Sequence, residues 1–131
     1  VDKGLISQVF DNLLSNALKY SREVEDQLGN TIKLVSYNRQ IQSDYFGTGI
    51  NGVRFNFFTT GIPLKEEEAA RIFDEGYRGL GASQERGRGH GLHFVRNVIE
   101  IHGGKVGCEP QRYGNLFYFI LPLKHERPVQ L

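Results

Sequence analysis

No methionine occurs in the 131 residues, and position 1 is Val1. The expectation from that absence is a piece cut from a longer chain. Cysteine occurs once, at Cys108, which excludes an internal disulfide framework and any cysteine-based zinc cluster. Charge of one sign is not in excess either: 16 Lys and Arg against 15 Asp and Glu leave a net charge of +1. That balance argues against a coat for a polyanion, and so against nucleic acid as a partner, and against an acidic disordered tail. Long apolar runs are missing too. The longest, Leu116 to Leu123, is interrupted by Pro122 and too short to span a bilayer, and no signal-peptide pattern is seen. What is there is ordinary globular material, 39% hydrophobic and 24% charged. The length accommodates one domain, residues 1–131, with a core that needs no staples. Glycine is the one excess, at 16 residues, and its placement matters more than its number.

Leu5, Ile6, Val9, Phe10, Leu13, Leu14 and Ala17 recur at helical spacing and predict an amphipathic helix over 3–21, capped by Asp2. Residues 32–38 alternate weakly and read as a strand, and Asn38 to Asn51 as a long polar connection. Gly52 to Thr59, with Val53, Phe55, Phe57 and Phe58, reads as a second strand. Thr60-Gly61-Ile62-Pro63 is a turn signal. Pro63 is placed to open a helix to about Phe73, with Glu66, Glu67 and Glu68 early in it, where the dipole favours acids. Asp74 to His90 has no apolar period and five glycines, and reads as a long functional loop. Gly91 to His102 reads as a helix stopped by Gly103 and Gly104. Lys105–Glu109 and Asn115–Leu121 read as a closing hairpin, and the tail from Lys124 as frayed. A lone helix ahead of two strands leads to the expectation of a further strand before Val1. Helices bunched against a mostly antiparallel sheet make an α+β fold, a two-layer α/β sandwich, the economical architecture.

Gln8, Asn12, Asn16 and Lys19 fall at i, i+4, i+8 and i+11 of the first helix, one polar stripe beside the apolar arc, with Tyr20 on its margin. A solvated helix face accounts for such a stripe. Asn is a mediocre helix former, however, and a face that needs only solubility would use Glu, Lys or Gln. An Asn amide oxygen completes the shell of Mg²⁺ when phosphate and water supply the rest, and Lys is a mobile point charge for phosphate. Gly87-Arg88-Gly89-His90-Gly91-Leu92 opens the last predicted helix. Glycines let backbone amides approach a phosphate at a helix N-terminus, although any flexible loop end looks alike. Arg78, Arg86 and Arg88 in the preceding loop face either phosphate or water. A Gly/Arg loop also suits single-stranded nucleic acid, but no basic tract surrounds this one.

In this order the features resemble the catalytic and ATP-binding domain of sensor histidine kinases, within the superfamily of gyrase-type, MutL-type and heat-shock-chaperone ATPases. The resemblance runs from Asp2 to Pro122. Gln8 to Tyr20 is similar to the family's asparagine box, Phe73-Asp74-Glu75-Gly76-Tyr77-Arg78-Gly79 to its phenylalanine box, and Gly87 to Leu92 to its last glycine box. The Lys19-Tyr20 and Tyr77-Arg78-Gly79 details favour the kinase branch over the ATPases. The resemblance implies the Bergerat-type fold, a mixed, mostly antiparallel sheet packed on three helices. It implies ATP and Mg²⁺ as ligands. Asn16 would coordinate Mg²⁺ with support from Asn12, and Lys19 and Tyr20 would face phosphate and ribose. The amides from Gly87 through Gly89 and His90 to Gly91 would hold the triphosphate. Leu92 would line the pocket, Arg78 to Arg88 would form a lid, and Phe73 would anchor it. The partners implied are the parent's own dimerisation domain, which carries the phosphoacceptor His, and a response regulator. The parent would be a homodimer and the piece a monomer, in a cytoplasmic setting whether or not the parent is membrane-anchored.

One box departs from the pattern. The family's first glycine box reads D-x-G-x-G-I-P, in which the Asp accepts from the adenine amino group. Aligned on Gly61-Ile62-Pro63, Phe57 stands at the Asp and Thr59 at the first Gly. Asn56 substitutes only if a bulge rotates it to the other face, and Thr59 or Thr60 would offer a hydroxyl. This departure keeps open an alternative: a degenerate signalling module with weak or no nucleotide binding, acting by protein contact. His90, His93, His102 and His125 read as structural, since none lies in a segment like the one that carries the family's phosphoacceptor. Cys108 reads as a small core residue.

Overall fold

The computed structural model describes residues 2–47, 49–77 and 91–123. The first element, α1 (Lys3–Tyr20), starts where expected: Asp2 Oδ1 accepts from Leu5 N at 3.1 Å. Its buried residues, Val9, Leu13 and Ala17, lie one above the other at i, i+4 and i+8. A hairpin that the periodicity did not reveal follows, β1 (Val24–Glu25) and β2 (Thr31–Ile32). Asp26 folds its turn, with Oδ1 accepting from Leu28 N and Asn30 N at 2.9 and 2.8 Å. The Asn30 amide leads the donors that hold the Asp26 carboxyl below the usual range.

The strand predicted at 32–38 is displaced. It is β3 (Val35–Gln42), and the connection begins after Gln42, not at Asn38. Every residue of β3 is half-buried or exposed, so no apolar alternation marks its ends. Pairing sets them instead: the strand lies antiparallel to β4 (Gly52–Thr60) from Val35↔Thr59 to Gln42↔Gly52. Pro63 does not open the next helix. α2 runs Glu66–Arg71, shorter at both ends than predicted, with Glu68 Oε1 accepting from Lys65 N at 3.1 Å at its start. α3 (Gly91–Ile101) buries Val95, Val98 and Ile99. β5 (Lys105–Gln111) and β6 (Gly114–Pro122) form the closing hairpin. Pro110 sits in β5, at the sheet edge where the lost amide is tolerated.

The main sheet has the order β3-β4-β6-β5. Among the described residues all its pairings are antiparallel, so the parallel component of a mixed sheet is not found there. Helices cover one face. Val9 and Leu13 of α1 and Val95, Val98 and Ile99 of α3 meet Phe57, Phe119 and Leu121 of the sheet in one core. The fold is therefore α+β in two layers, as the helical periods and the strand run implied. The opposite face is polar along a seam. Asn56 Nδ2 donates to Asn38 Oδ1 at 2.9 Å, Arg54 Nε donates to Asn56 Oδ1 at 2.8 Å, and Arg54 Nη2 reaches Glu109 Oε1 at 3.0 Å. The Arg54 guanidinium lies 3.8 Å from the centroid of the Tyr118 ring.

Candidate functional site

The polar stripe of α1 faces the first turn of α3. Asn12 and Asn16 are half-buried; Asn12 Nδ2 donates to Gln8 O at 3.0 Å, and no described residue donates to Asn12 Oδ1. A Cβ added at Gly91 would lie 3.5 Å from Asn12 Oδ1 and 3.9 Å from Asn16 Nδ2. A larger residue at 91 would fill the space between the two helices. Its absence leaves the amides of the first turn of α3, which lack intrahelical acceptors, beside two carboxamides. The positive end of the helix dipole lies at the same point. Lys19 and Tyr20 continue the stripe, with Lys19 Nζ 5.2 Å from the Tyr20 ring centroid. Lys19 is exposed and Tyr20 half-buried. Among the described residues no group of His, Cys, Asp and Glu is built to hold a metal by itself. Leu92 packs against the core at the base of α3. Of the predicted phosphate loop, Arg78, Gly87, Gly89 and His90 lie outside the described residues, as does the rest of the predicted lid from Arg78 to Arg88.

Phe73 is buried, 4% exposed, and belongs to the core. The segment after it is tied to α3 at two points. His93 Nδ1 lies 3.4 Å from Phe73 O and donates to that carbonyl, and Arg96 Nη1 meets Asp74 Oδ1 at 3.0 Å. His93 Nε2 takes Asn97 Nδ2 at 3.2 Å. His102 similarly uses both nitrogens, Nδ1 toward Val98 O at 2.7 Å and Nε2 accepting from Asp2 N at 3.1 Å. His90 and His125 lie outside the described residues. Cys108 is half-buried against the core, and burial, followed by the Glu109 charge, pushes its thiol up to about 12. It is packing material, not a nucleophile.

The C-terminal half of β4 differs in kind. Phe57 is fully buried, with ring centroids 5.0 Å from Phe10, 5.1 Å from Tyr37 and 6.3 Å from Phe119. Pairing of β4 with both neighbours is continuous from Gly52 to Thr60, so no bulge turns Asn56 inward; it stays on the outer face. Thr59 Oγ1 donates to Ala17 O at 2.9 Å, satisfying one of the last carbonyls of α1. Thr60 Oγ1 accepts from Leu34 N at 3.0 Å and lies 3.3 Å from both Leu34 O and Ser21 Oγ. Neither hydroxyl is turned to an opening: the residues are 4% and 1% exposed. Gly61 is buried and its amide donates to Tyr113 O at 3.0 Å, while the Ile62 side chain is 87% exposed. Asn115, which the sequence reading passed over, fixes this turn. Its Oδ1 accepts from Leu64 N at 2.9 Å and its Nδ2 donates to Ile62 O at 3.1 Å. A polar residue at a buried register position of a strand was the available signal. Gly114 next to it admits no side chain, since a Cβ there would strike Thr59 O.

Residues 1–125 match the family model described as histidine kinase-, DNA gyrase B- and HSP90-like ATPase. The chain belongs to that ATPase family. Within it, this ATPase-family domain is of the sensor histidine kinase type. It is 34% identical over 132 residues to the adaptive-response sensory kinase SasA of Prochlorococcus marinus, covering 99% of this chain and 31% of SasA. The structure of full-length ShkA in complex with AMPPNP superposes with a TM-score of 0.62 at 26% identity, covering 93% of this chain and 22% of ShkA. The histidine kinase ThkA, solved in complex with the response regulator protein TrrA, gives 0.63 at 26% identity, with 93% and 29% covered. The domain thus spans about a third of SasA and less of the other two.

Proposed function

We propose that the domain binds Mg·ATP between α1 and the N-terminus of α3 and delivers its γ-phosphoryl group to a histidine on a separate dimerisation domain of the parent protein. The observation that carries this reading is the approach of Asn12 and Asn16 to Gly91. Two carboxamides facing unpaired helix amides suit a polyanion with a bound hard cation. Mg²⁺ fits this donor set: neutral amide oxygens supply part of an oxygen shell, and phosphate and water the rest. A half-turn of the Asn16 amide brings its oxygen to the same point. Mg²⁺, when bound, neutralises charge on the phosphates. Asn12 and Asn16 orient it, and Lys19 and Tyr20 lie within the stripe to meet phosphate and ribose. By the resemblance, the Gly87, Gly89, His90 and Gly91 amides, with Arg78, would hold the triphosphate, although of these only Gly91 lies among the described residues, and Phe73, Gly61, Ile62 and Leu92 would belong to the same site.

Phosphoryl transfer asks mainly for positioning and charge neutralisation. The bond from the γ-phosphorus to its bridging oxygen breaks, and that oxygen leaves as part of ADP. An N–P bond forms to an imidazole, which gives its remaining ring proton to water. His93 and His102 are not the acceptors, since each ring uses both nitrogens inside the domain. The acceptor belongs to the dimerisation domain, and the phosphoryl group then passes to a response regulator, the class of partner bound to ThkA in its complex. The reading places the domain in the cytoplasm, in a homodimeric parent, with the isolated piece monomeric. Among the described residues no helix is long and apolar enough to cross a membrane.

Calorimetric titration with ATP and Mg²⁺ to millimolar nucleotide tests the proposal. Heat that depends on Mg²⁺ is expected, and Asn16→Ala should abolish the Mg²⁺-dependent part; no heat at that limit sinks the reading. A second reading, a signalling module that has lost nucleotide and works by protein contact, is favoured by the buried Phe57 and the engaged Thr59 hydroxyl. It predicts silence in that titration.

A further inference from the structure

The edge strand β5 leaves main-chain groups unpaired on its open side. Thr60 N donates to Leu34 O, which turns the even-numbered residues of β4 toward β3 and its odd-numbered residues toward β6. The same alternation, carried one strand further, bonds Lys105, Gly107, Glu109 and Gln111 to β6. Val106, Cys108 and Pro110 therefore point their main-chain groups away from the sheet. Pro110 agrees with this phase, since its missing amide falls on the open side. Among the described residues nothing accepts from the amides of Val106 and Cys108. Such a row of groups is a template for a further strand.

A groove of about 790 Å³ lies against this edge, between β5 and the helices α2 and α3. Ala69, Phe73, Val106 and Cys108 make its apolar part. The groove also reaches Tyr118, one strand further in, because Gly107 opposite it has no side chain; a Cβ there would strike the Tyr118 hydroxyl. The charges on the rim are unevenly spent. Arg96 is bound to Asp74 at 3.0 Å, Glu109 meets Arg54, and Lys105 Nζ lies 5.5 Å from the Tyr45 ring centroid. Glu66 and Glu100 are exposed and have no ion pair among the described residues. The charge left to a partner on the helix side is therefore negative.

We propose that the β5 edge is a docking site for an extended, basic segment of a partner polypeptide, which adds to the sheet as a strand beyond β5. The main chain of Val106 and Cys108 supplies the ladder, and Pro110 ends it because no amide remains there to donate. Side chains of the added strand alternate between the faces. Those on the helix side meet Glu66 and Glu100, and those on the other side meet Glu109 and the Tyr118 ring. The ladder gives affinity without regard to sequence, and the carboxylates select Lys and Arg.

The experiment is an amide NMR titration of the chain with a short peptide of alternating Lys and Val, set beside its Glu and Val counterpart. The Lys peptide should shift the Val106 and Cys108 amides and slow their hydrogen exchange, and the Glu peptide should bind about tenfold more weakly or less well still. No shift at Val106 and Cys108 with millimolar peptide, equal binding of the two peptides, or shifts confined to the opposite edge at Val35–Ile41 overturns the proposal. Glu66→Lys with Glu100→Lys, both on the surface, should weaken the Lys peptide by about tenfold; unchanged affinity refutes the role of the carboxylates. Cys108→Pro repeats the phase of Pro110 and removes one donor of the ladder. With a native circular dichroism spectrum it should lose the Lys peptide, and a folded variant that binds as before refutes the strand pairing. If the proline unfolds the sheet, the charge reversal and the amide map decide.

Discussion

The α1–α3 junction and the end of β4 hold their polar side chains in opposite states. At the α1–α3 end, no described residue donates to the amide oxygens of Asn12 and Asn16, and Asn12 Oδ1 and Asn16 Nδ2 face Gly91, which has no side chain. At the β4 end, Thr59, Thr60 and Asn115 are joined to α1, to Leu34 and to the turn at Ile62–Leu64. The two regions have thus parted company: one leaves polar groups unsatisfied by the described residues, and the other has turned them into structure. The difference separates what binds from what stabilises, and mutations should divide along the same line.

The largest effect belongs to the β4 end. Phe57→Ala empties a fully buried ring position and should cost about 3–5 kcal/mol in urea denaturation. A cost near zero would mean the cluster is not part of the core, and the comparison would fail at its root. Asn115→Ala removes both clamps on the turn and should cost about 1–3 kcal/mol by the same measurement. Cys108 sharpens the comparison through pH. Its thiol rises from 9.0 in the unfolded chain to about 12 in the fold. The buried neutral thiol therefore adds stability that is whole below pH 9 and declines as pH rises toward 12. Cys108→Ala should lose less melting temperature than the parent between those limits, and equal losses would refute it. The smallest effect belongs to the α1–α3 end. Asn16→Ala should change stability by less than about 0.5 kcal/mol while removing Mg²⁺-dependent nucleotide heat. A large stability loss there would merge the two ends into one class.

Much of this was readable before any coordinates. α1 and α3 announce themselves because a helix that buries one stripe must repeat its apolar residues every three or four positions. The Asn stripe was readable for the same reason, since one regular element fixes the relative placement of its residues. β3 was misplaced because it lies at the sheet edge and is wetted along most of its length, so its residues carry no pattern that marks its ends. α2 was drawn too long because Pro63 is a favourable helix opener in isolation, whereas Leu64 N is held by Asn115 from a distant strand. The state of Thr59 was equally out of reach. Its partner, Ala17 O, lies 42 residues away, and only the packing of α1 on β4 brings the two together.

The polar seam on the outer face carries a further consequence. Asn56 and Phe57 are adjacent, so they project to opposite sides of the same strand. A slip of β4 by one residue would exchange them, drawing the carboxamide into the aromatic cluster and pushing the ring into water. Asn56 opposes that slip, because its contact with Asn38 on the neighbouring strand exists in one alignment only. The seam therefore works as a ratchet pawl for the sheet: a handful of hydrogen bonds on the wet side keeps the aromatic cluster in place on the dry side.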